Sequence, residues 1–98
     1  PGEELAKALE NCKAVAVLDK SEGFSANGGP LFAETASAMI NMDKRPKMVD
    51  IVYGLGGRDF TVDSARRVFN RLLNIVKTGD TGPIYSHMGQ RDLRKEVQ

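Results

Sequence analysis

The chain has 98 residues, of which 41% are hydrophobic and 28% are charged, and its 14 basic side chains are nearly balanced by 13 acidic ones. This length allows at most one small domain, and the composition is that of an ordinary globular protein, not of a disordered, collagen-like or membrane-spanning one. A net charge of +1 gives no field strong enough to indicate a nucleic-acid or anionic-membrane partner. The only cysteine, Cys12, can form no internal disulfide and cannot supply the thiolates of a metal cluster, and this usage indicates a reducing cytoplasm.

The first part of the chain predicts a short helix followed by a buried strand. Pro1 suits a first helical turn, and Leu5, Ala8 and Leu9 share one face. Residues 14–18 are continuously apolar, which is typical of a strand covered on both faces in a parallel sheet. Asp19 is expected at the carboxyl end of this strand.

A loop and a second helix come next. Residues 21–29 are rich in glycine, serine and asparagine, which favours a loop, and Pro30 fits a first helical turn. The expected apolar face of this helix consists of Leu31, Thr35, Ala38, Met39 and Met42.

Residues 48–53 alternate and predict a second strand, whose Asp50 face we expect to be less deeply buried than the first strand. Thr61 is a good N-cap and Gly79 a good terminator for the third helix. Its predicted buried stripe is Ala65, Val68, Phe69, Leu72 and Val76, and its predicted solvated face is Arg66, Arg67, Arg71 and Lys77. Beyond it, Ile84 and Tyr85 could form a short edge strand.

This order of elements predicts an α/β fold that is part of an open, mainly parallel sheet. Because two or three strands bury little surface, we expect further strands to come from a preceding part of a longer chain. We therefore interpret residues 1–79 as a partial α/β domain and residues 80–98 as a C-terminal tail.

The first glycine-rich loop resembles a phosphate-binding P-loop in the spacing of Gly23 and Gly28. That motif needs Lys and then Ser or Thr, where this chain has Gly29 and Pro30. Pro30 also lacks an N–H group. The loop therefore reads as a strand-to-helix turn and not as a nucleotide-hydrolysing site.

The second glycine-rich loop resembles the start of a dinucleotide-binding fingerprint, but Asp59 stands at the position of the third glycine. We interpret it as a turn that presents Arg58 and Asp59 for a partner at the carboxyl edge of the sheet. The candidate interface residues of the two loops are Gly28, Gly29, Gly56, Gly57, Arg58 and Asp59.

No catalytic residue can be assigned from the residue pattern. His87 is the only histidine, and no serine, cysteine or carboxylate stands near it at the spacing of a nucleophilic unit. Cys12 is expected to be a small apolar filler and not a reactive thiol.

Three blocks of the sequence resemble the alpha subunit of the pyruvate:ferredoxin oxidoreductases and their 2-oxoacid relatives. They are AVAVLDKS at 14–21, GGPLFAE at 28–34 and YGLGGRDFT at 53–61. The resemblance implies a three-layer α/β/α domain similar to the C-terminal domain of transketolase, placed beside the chemistry in an assembled complex. It transfers no catalytic, cofactor-binding or metal-binding residue to this chain.

In that family the complex oxidatively decarboxylates pyruvate to acetyl-CoA and passes electrons to ferredoxin. The resemblance implies thiamine diphosphate, magnesium and 4Fe–4S clusters elsewhere in the complex, other subunits and ferredoxin as partners, and no nucleic acid or membrane. The alternative hypothesis is a free-standing anion- or nucleotide-binding module that uses the two glycine-rich loops at helix N-termini.

Overall fold

The computed structural model describes residues 2–20, 29–54 and 59–88. Three helices and three strands alternate along the chain: α1 (Gly2–Leu9), β1 (Ala14–Lys20), α2 (Pro30–Met39), β2 (Lys47–Tyr53), α3 (Val62–Thr78) and β3 (Tyr85–His87).

The strands form one parallel sheet in the order β1-β2-β3. Ala14 pairs with Lys47 at one end of the β1–β2 ladder, Lys20 pairs with Tyr53 at the other, and Asp50 pairs with Tyr85 in the shorter β2–β3 ladder. The predicted α/β fold is confirmed. The edge strand expected around Ile84 and Tyr85 is present, and it begins at Tyr85.

Helices cover both faces of this sheet. Val49 and Ile51 of β2 form a buried cluster with Val68 and Ile75 of α3. The alternate positions of the strands face α2, since Asp19 of β1 accepts hydrogen bonds from the first turn of that helix. The described residues therefore form three layers, with α2 on one side of the sheet and α3 on the other.

The relative burial of the two long strands is the reverse of the prediction. Asp50 is 0% exposed and so is Val52 next to it on the same face, whereas most residues of β1 are only partly buried. The reason is topological: β2 is the central strand and is covered on both faces, while β1 lies at an edge. An aspartate in the sequence suggested a shallow face, but this one is fully enclosed.

Helix α3 is confirmed at both ends. The side-chain oxygen of Thr61 accepts from Ser64 N at 3.1 Å, and the Ser64 hydroxyl accepts from Thr61 N at 3.2 Å, which completes a capping box. At the other end Gly79 adopts a left-handed conformation with φ of 77°, which costs glycine little.

The predicted buried stripe of α3 is wrong in part. Val68 and Ile75 are buried, but Phe69 is 64% exposed and Val76 is 47% exposed. The helix buries only Val68 and Ile75 fully, with Leu72 partly buried beside them, so its apolar surface extends beyond the described sheet. Leu73, 67% exposed, extends this uncovered surface.

The sequence predicts Arg71 on a freely solvated face of α3, and this prediction is wrong. Its guanidinium donates to the Ser86 hydroxyl at 2.9 Å, to the Thr81 carbonyl at 3.0 Å and to the Pro83 carbonyl. Burial lowers the pKa of Arg71. This one side chain ties the connection after α3, and β3 with it, to the middle of the helix.

Two smaller expectations also fail. Cys12 is exposed and not an apolar filler, because it lies in the turn between α1 and β1. Leu31 is 49% exposed, so the buried positions of α2 are Thr35 and Met39. Within the ranges the structure describes, none of the helices has the length and apolar character needed to span a bilayer.

Candidate functional site at the carboxyl edge of the sheet

The two glycine-rich loops leave the sheet at the same edge, because β1 and β2 are parallel and both end there. Gly28, Gly56, Gly57 and Arg58 lie outside the described residues. Two of the candidate interface residues are described: Gly29 is buried at the start of α2, and Asp59 is exposed before α3. The described residues at this edge are the ends of β1 and β2 and the starts of α2 and α3.

The first turn of α2 is capped by a carboxylate from the preceding strand. Asp19 Oδ1 accepts from Leu31 N at 3.0 Å, and Asp19 Oδ2 accepts from Phe32 N at 3.1 Å. These N–H groups have no partner inside the helix, and a negative charge here also interacts favourably with the helix dipole. Asp19, which is 3% exposed, therefore joins the end of β1 to the start of α2.

A second buried carboxylate lies beside the first. Asp50 Oδ2 accepts from Gly29 N at 2.9 Å, and its Oδ1 atom has no hydrogen-bond partner among the described residues. Burial raises the pKa of Asp50 to about 6, the Gly29 hydrogen bond opposes this, and the neighbouring Asp19 carboxyl adds to the rise. The protonated form of Asp50 is thus favoured relative to an exposed aspartate.

Gly29 lies against both carboxylates: its N–H group donates to Asp50, and Asp19 occupies the space where a side chain would be. A Cβ atom built on Gly29 would lie 2.1 Å from Asp19 Cγ, a separation that non-bonded atoms cannot adopt. Its backbone is extended, with φ of −81°, so glycine is required here by space and not by backbone conformation. The sequence singled out this glycine as part of a turn, whereas its structural role is to let two carboxylates approach.

The remaining neighbours on this face come from β3. Tyr85 pairs with Asp50 and His87 pairs with Val52, so both lie on the face that carries Asp50. The ring of Tyr85 packs edge-on against Phe32 of α2, with centroids 5.6 Å apart. This aromatic contact joins the first turn of α2 to β3 at the strand position that pairs with Asp50.

The donor set at this edge does not fit the cofactors of the implied complex. A 4Fe–4S cluster takes four thiolates and the chain has one. No group of three metal-ligating side chains occurs within residues 2–20, 29–54 and 59–88. The first-turn N–H groups that could cradle a phosphate are bonded to Asp19 and Asp50, whose charge would repel an anion.

Sequence reasoning missed the carboxylate pair. Asp19 was interpreted only as the end of a strand, and Asp50 as a sign of shallow burial. A usable signal was present: β1 and β2 are mainly apolar and each carries one aspartate, and Asp19, near the carboxyl end of β1, is followed by a loop and Pro30. Such an aspartate is positioned to cap the helix that follows.

The chain also matches a family model. Residues 1–65 match the pyruvate:ferredoxin oxidoreductase core domain II, so the match spans α1 to the start of α3.

Individual relatives agree with this match. The chain is 38% identical over 83% of its length to the pyruvate synthase subunit PorA of Methanosarcina barkeri. It is 40% identical over 81% of its length to the ketoisovalerate oxidoreductase subunit VorA of Pyrococcus horikoshii. It is 36% identical over 71% of its length to the NADH-dependent phenylglyoxylate dehydrogenase subunit alpha of Aromatoleum evansii.

The matched segment covers 20% of the length of the first two relatives and 17% of the third. The chain thus spans about a fifth of the curated relatives that it matches. By its family model and these relatives, the chain belongs to the pyruvate:ferredoxin oxidoreductase core domain II family.

Proposed function

We propose that this chain is a structural and assembly segment, C-terminal in position, of the alpha subunit of a pyruvate:ferredoxin oxidoreductase. That complex would oxidatively decarboxylate pyruvate to acetyl-CoA and pass the electrons to ferredoxin. The observation that carries the proposal is the similarity to a pyruvate synthase subunit over most of this chain. Similarity to subunits named for ketoisovalerate and phenylglyoxylate makes the 2-oxoacid the part most in need of a direct test.

The described surface supports an assembly role. Within the described residues β1 pairs only with β2, so its other edge offers unpaired backbone groups. Beside that edge, a groove of about 550 Å³ is lined by the start of β1 and by Phe69, Leu73 and Val76 of α3. An apolar surface next to an open sheet edge suits a further strand packed under α3, and we propose that the remainder of the subunit supplies it.

On this proposal, residues 1–79 are part of a larger α/β domain, and residues 80–98 are a C-terminal segment whose strand β3 adds to the same sheet. Thiamine diphosphate, magnesium and the 4Fe–4S clusters are bound by other parts of the complex, because one cysteine cannot ligate a cluster and the described residues offer no group of three metal ligands. We also propose a cytoplasmic location, since the single cysteine fits a reducing compartment.

We propose that the two loops at the carboxyl edge contact another domain or subunit through Gly28, Gly56, Gly57, Arg58 and Asp59, whereas Gly29, the sixth candidate, is buried and holds the start of α2. The exposed position of Asp59 supports this. An independent anion-binding module is less well supported, because the first-turn N–H groups of α2 are already bonded to carboxylates.

Co-expression of the complete subunit set tests the activity. Viologen reduction should require pyruvate and coenzyme A, and 2-oxoisovalerate and phenylglyoxylate should be weaker substrates. Residues 1–98 expressed alone should neither reduce the dye nor show cluster absorbance. If the isolated chain is a monomer that melts cooperatively and reduces the dye, the assembly role is wrong.

Arg58→Ala and Asp59→Ala test the interface separately. Both should shift the complex toward free subunits in size-exclusion chromatography and leave the helix content of the chain unchanged. Lys77→Ala is the matched control, because Lys77 is an exposed residue in the last turn of α3, at the opposite end of the helix from the carboxyl edge. Normal assembly and turnover in both loop variants would remove the partner role of this turn.

A further inference from the structure

The buried carboxylates Asp19 and Asp50 differ in how their oxygens are used. Both oxygens of Asp19 accept N–H groups of α2, from Leu31 and Phe32. Asp50 has one oxygen bonded to Gly29 N and one buried oxygen with no partner in the described part of the chain. An unsatisfied carboxylate oxygen at 0% exposure is costly, and a second carboxylate beside it increases the cost.

We propose that Asp50 binds a proton on its Oδ1 atom and donates a hydrogen bond from this O–H group to an oxygen of Asp19, so that the two side chains form a proton-dependent clasp which fixes the start of α2 to β1 and β2. The proton resides on Asp50, because its Oδ1 is free of N–H donors, whereas a proton on either oxygen of Asp19 would compete with a helix N–H group for that oxygen. This inference rests on the geometry of the sheet and α2, and it holds whether or not the neighbouring loops bind a partner.

The groups that face Asp50 are Asp19 from β1 and Tyr85 and His87 from β3. Helix α2 contributes its first-turn N–H groups, and its one charged residue, Glu34, is exposed on the groove shared with α1. Of these groups His87 is the one that can carry a positive charge, so the test includes a variant at this position.

The direction of the pH effect follows from the pKa of Asp50, which is 3.8 in an exposed aspartate and about 6 in the closed structure. The closed form binds more protons than the opened form between these values. Closure is therefore strongest below pH 4, weakens as pH rises to about 6, and stays level above that. The opening equilibrium of the α2 start should rise by at most about tenfold per pH unit within this window.

The test is hydrogen exchange of the full chain, purified with whatever subunits accompany it, from pH 4.5 to 7.5, after correction for the intrinsic exchange rate. A peptide covering the amides of Gly29, Leu31 and Phe32 reports the clasp. A peptide from the middle of α3 reports global opening. The α2 peptide should lose protection between pH 4.5 and 6 relative to the α3 peptide.

Two matched variants distinguish the proton from simple packing. Asp50→Asn can accept from Gly29 and donate permanently to Asp19, so it should keep the α2 amides protected at every pH. Asp19→Asn must place an amide N–H group against a helix N–H group, so it should lose protection at every pH. His87→Gln should retain the wild-type pH dependence.

Three outcomes would overturn the proposal. The first is a flat pH profile in the wild-type chain, and the second is a pH profile that Asp50→Asn leaves unchanged. The third is protection that EDTA abolishes and magnesium restores, because it would mean that a cation, and not a proton, joins the carboxylates.

Discussion

The starts of α2 and α3 solve the same problem in opposite ways. At α2 the orphan N–H groups are bonded by carboxylates 12, 13 and 21 residues away in sequence, from two different strands. At α3 they are bonded by Thr61, three residues from its partner Ser64. The cap of α2 can form only after the sheet has formed, whereas the cap of α3 is specified by residues that are close to it in sequence.

The largest expected effect that sharpens this comparison is at Gly29. In Gly29→Ala the new methyl group would overlap Asp19 Cγ, so either the α2 start or the end of β1 must move. We expect a loss of about 3 kcal/mol in the free energy of unfolding, the upper range for overpacking a buried site. Urea denaturation followed by circular dichroism measures it.

Gly2→Ala is the matched control, because a Cβ atom on Gly2 would meet Ala38 at an ordinary 3.6 Å. It should leave stability within about 0.5 kcal/mol of wild type. Equal effects of the two substitutions would mean that Gly29 is not held between the carboxylates as described.

At the start of α3 the expected effect is smaller. Thr61→Ala removes the oxygen that accepts from Ser64 N and should destabilise the protein by about 1 kcal/mol. Thr61→Ser keeps the hydroxyl and should be close to neutral. Thermal melts of both variants measure this loss of stability, and an unchanged midpoint for Thr61→Ala would contradict the local cap.

The smallest effect is expected at Asp63 in the first turn of α3. Its carboxylate pairs with Arg66 at 3.3 Å and Arg67 at 3.5 Å, and the three side chains are about half to two-thirds exposed. Asp63→Asn should cost at most about 0.5 kcal/mol, and 0.5 M salt should remove most of that difference. A larger or salt-independent loss would show that this end of α3 depends on more than local contacts.

This contrast explains what the sequence could predict. Thr61 and Gly79 carry their structural meaning locally, and both ends of α3 were predicted from them. Pro30 likewise predicted where α2 begins. The groups that cap α2 could not be paired in advance, because they meet only when β1 and β2 adopt the register that sets Val17 against Asp50.

The features of the candidate site that the sequence could not predict also depend on how the strands and helices pack together. The interpretation of the two glycine-rich segments stays a prediction, because it falls mainly on residues outside the described ranges, but the positions of β1 and β2 could be predicted from residue types and spacing. The burial of Asp50 could not, because it follows from the central place of β2 and from cover on both faces. The exposed Phe69 and Val76 were misplaced for a related reason: helical periodicity shows that a face is apolar, but not how much sheet lies beneath it.

The long-range cap of α2 has a consequence for the order of folding. Helix α3 carries its own start and stop signals and can form early, whereas the first turn of α2 has to wait for β1 and β2 to pair. Thr61→Ala should therefore slow refolding, and Gly29→Ala should mainly accelerate unfolding, in stopped-flow experiments. In this chain the two carboxylates can therefore cap α2 only after β1 and β2 have paired in the correct register.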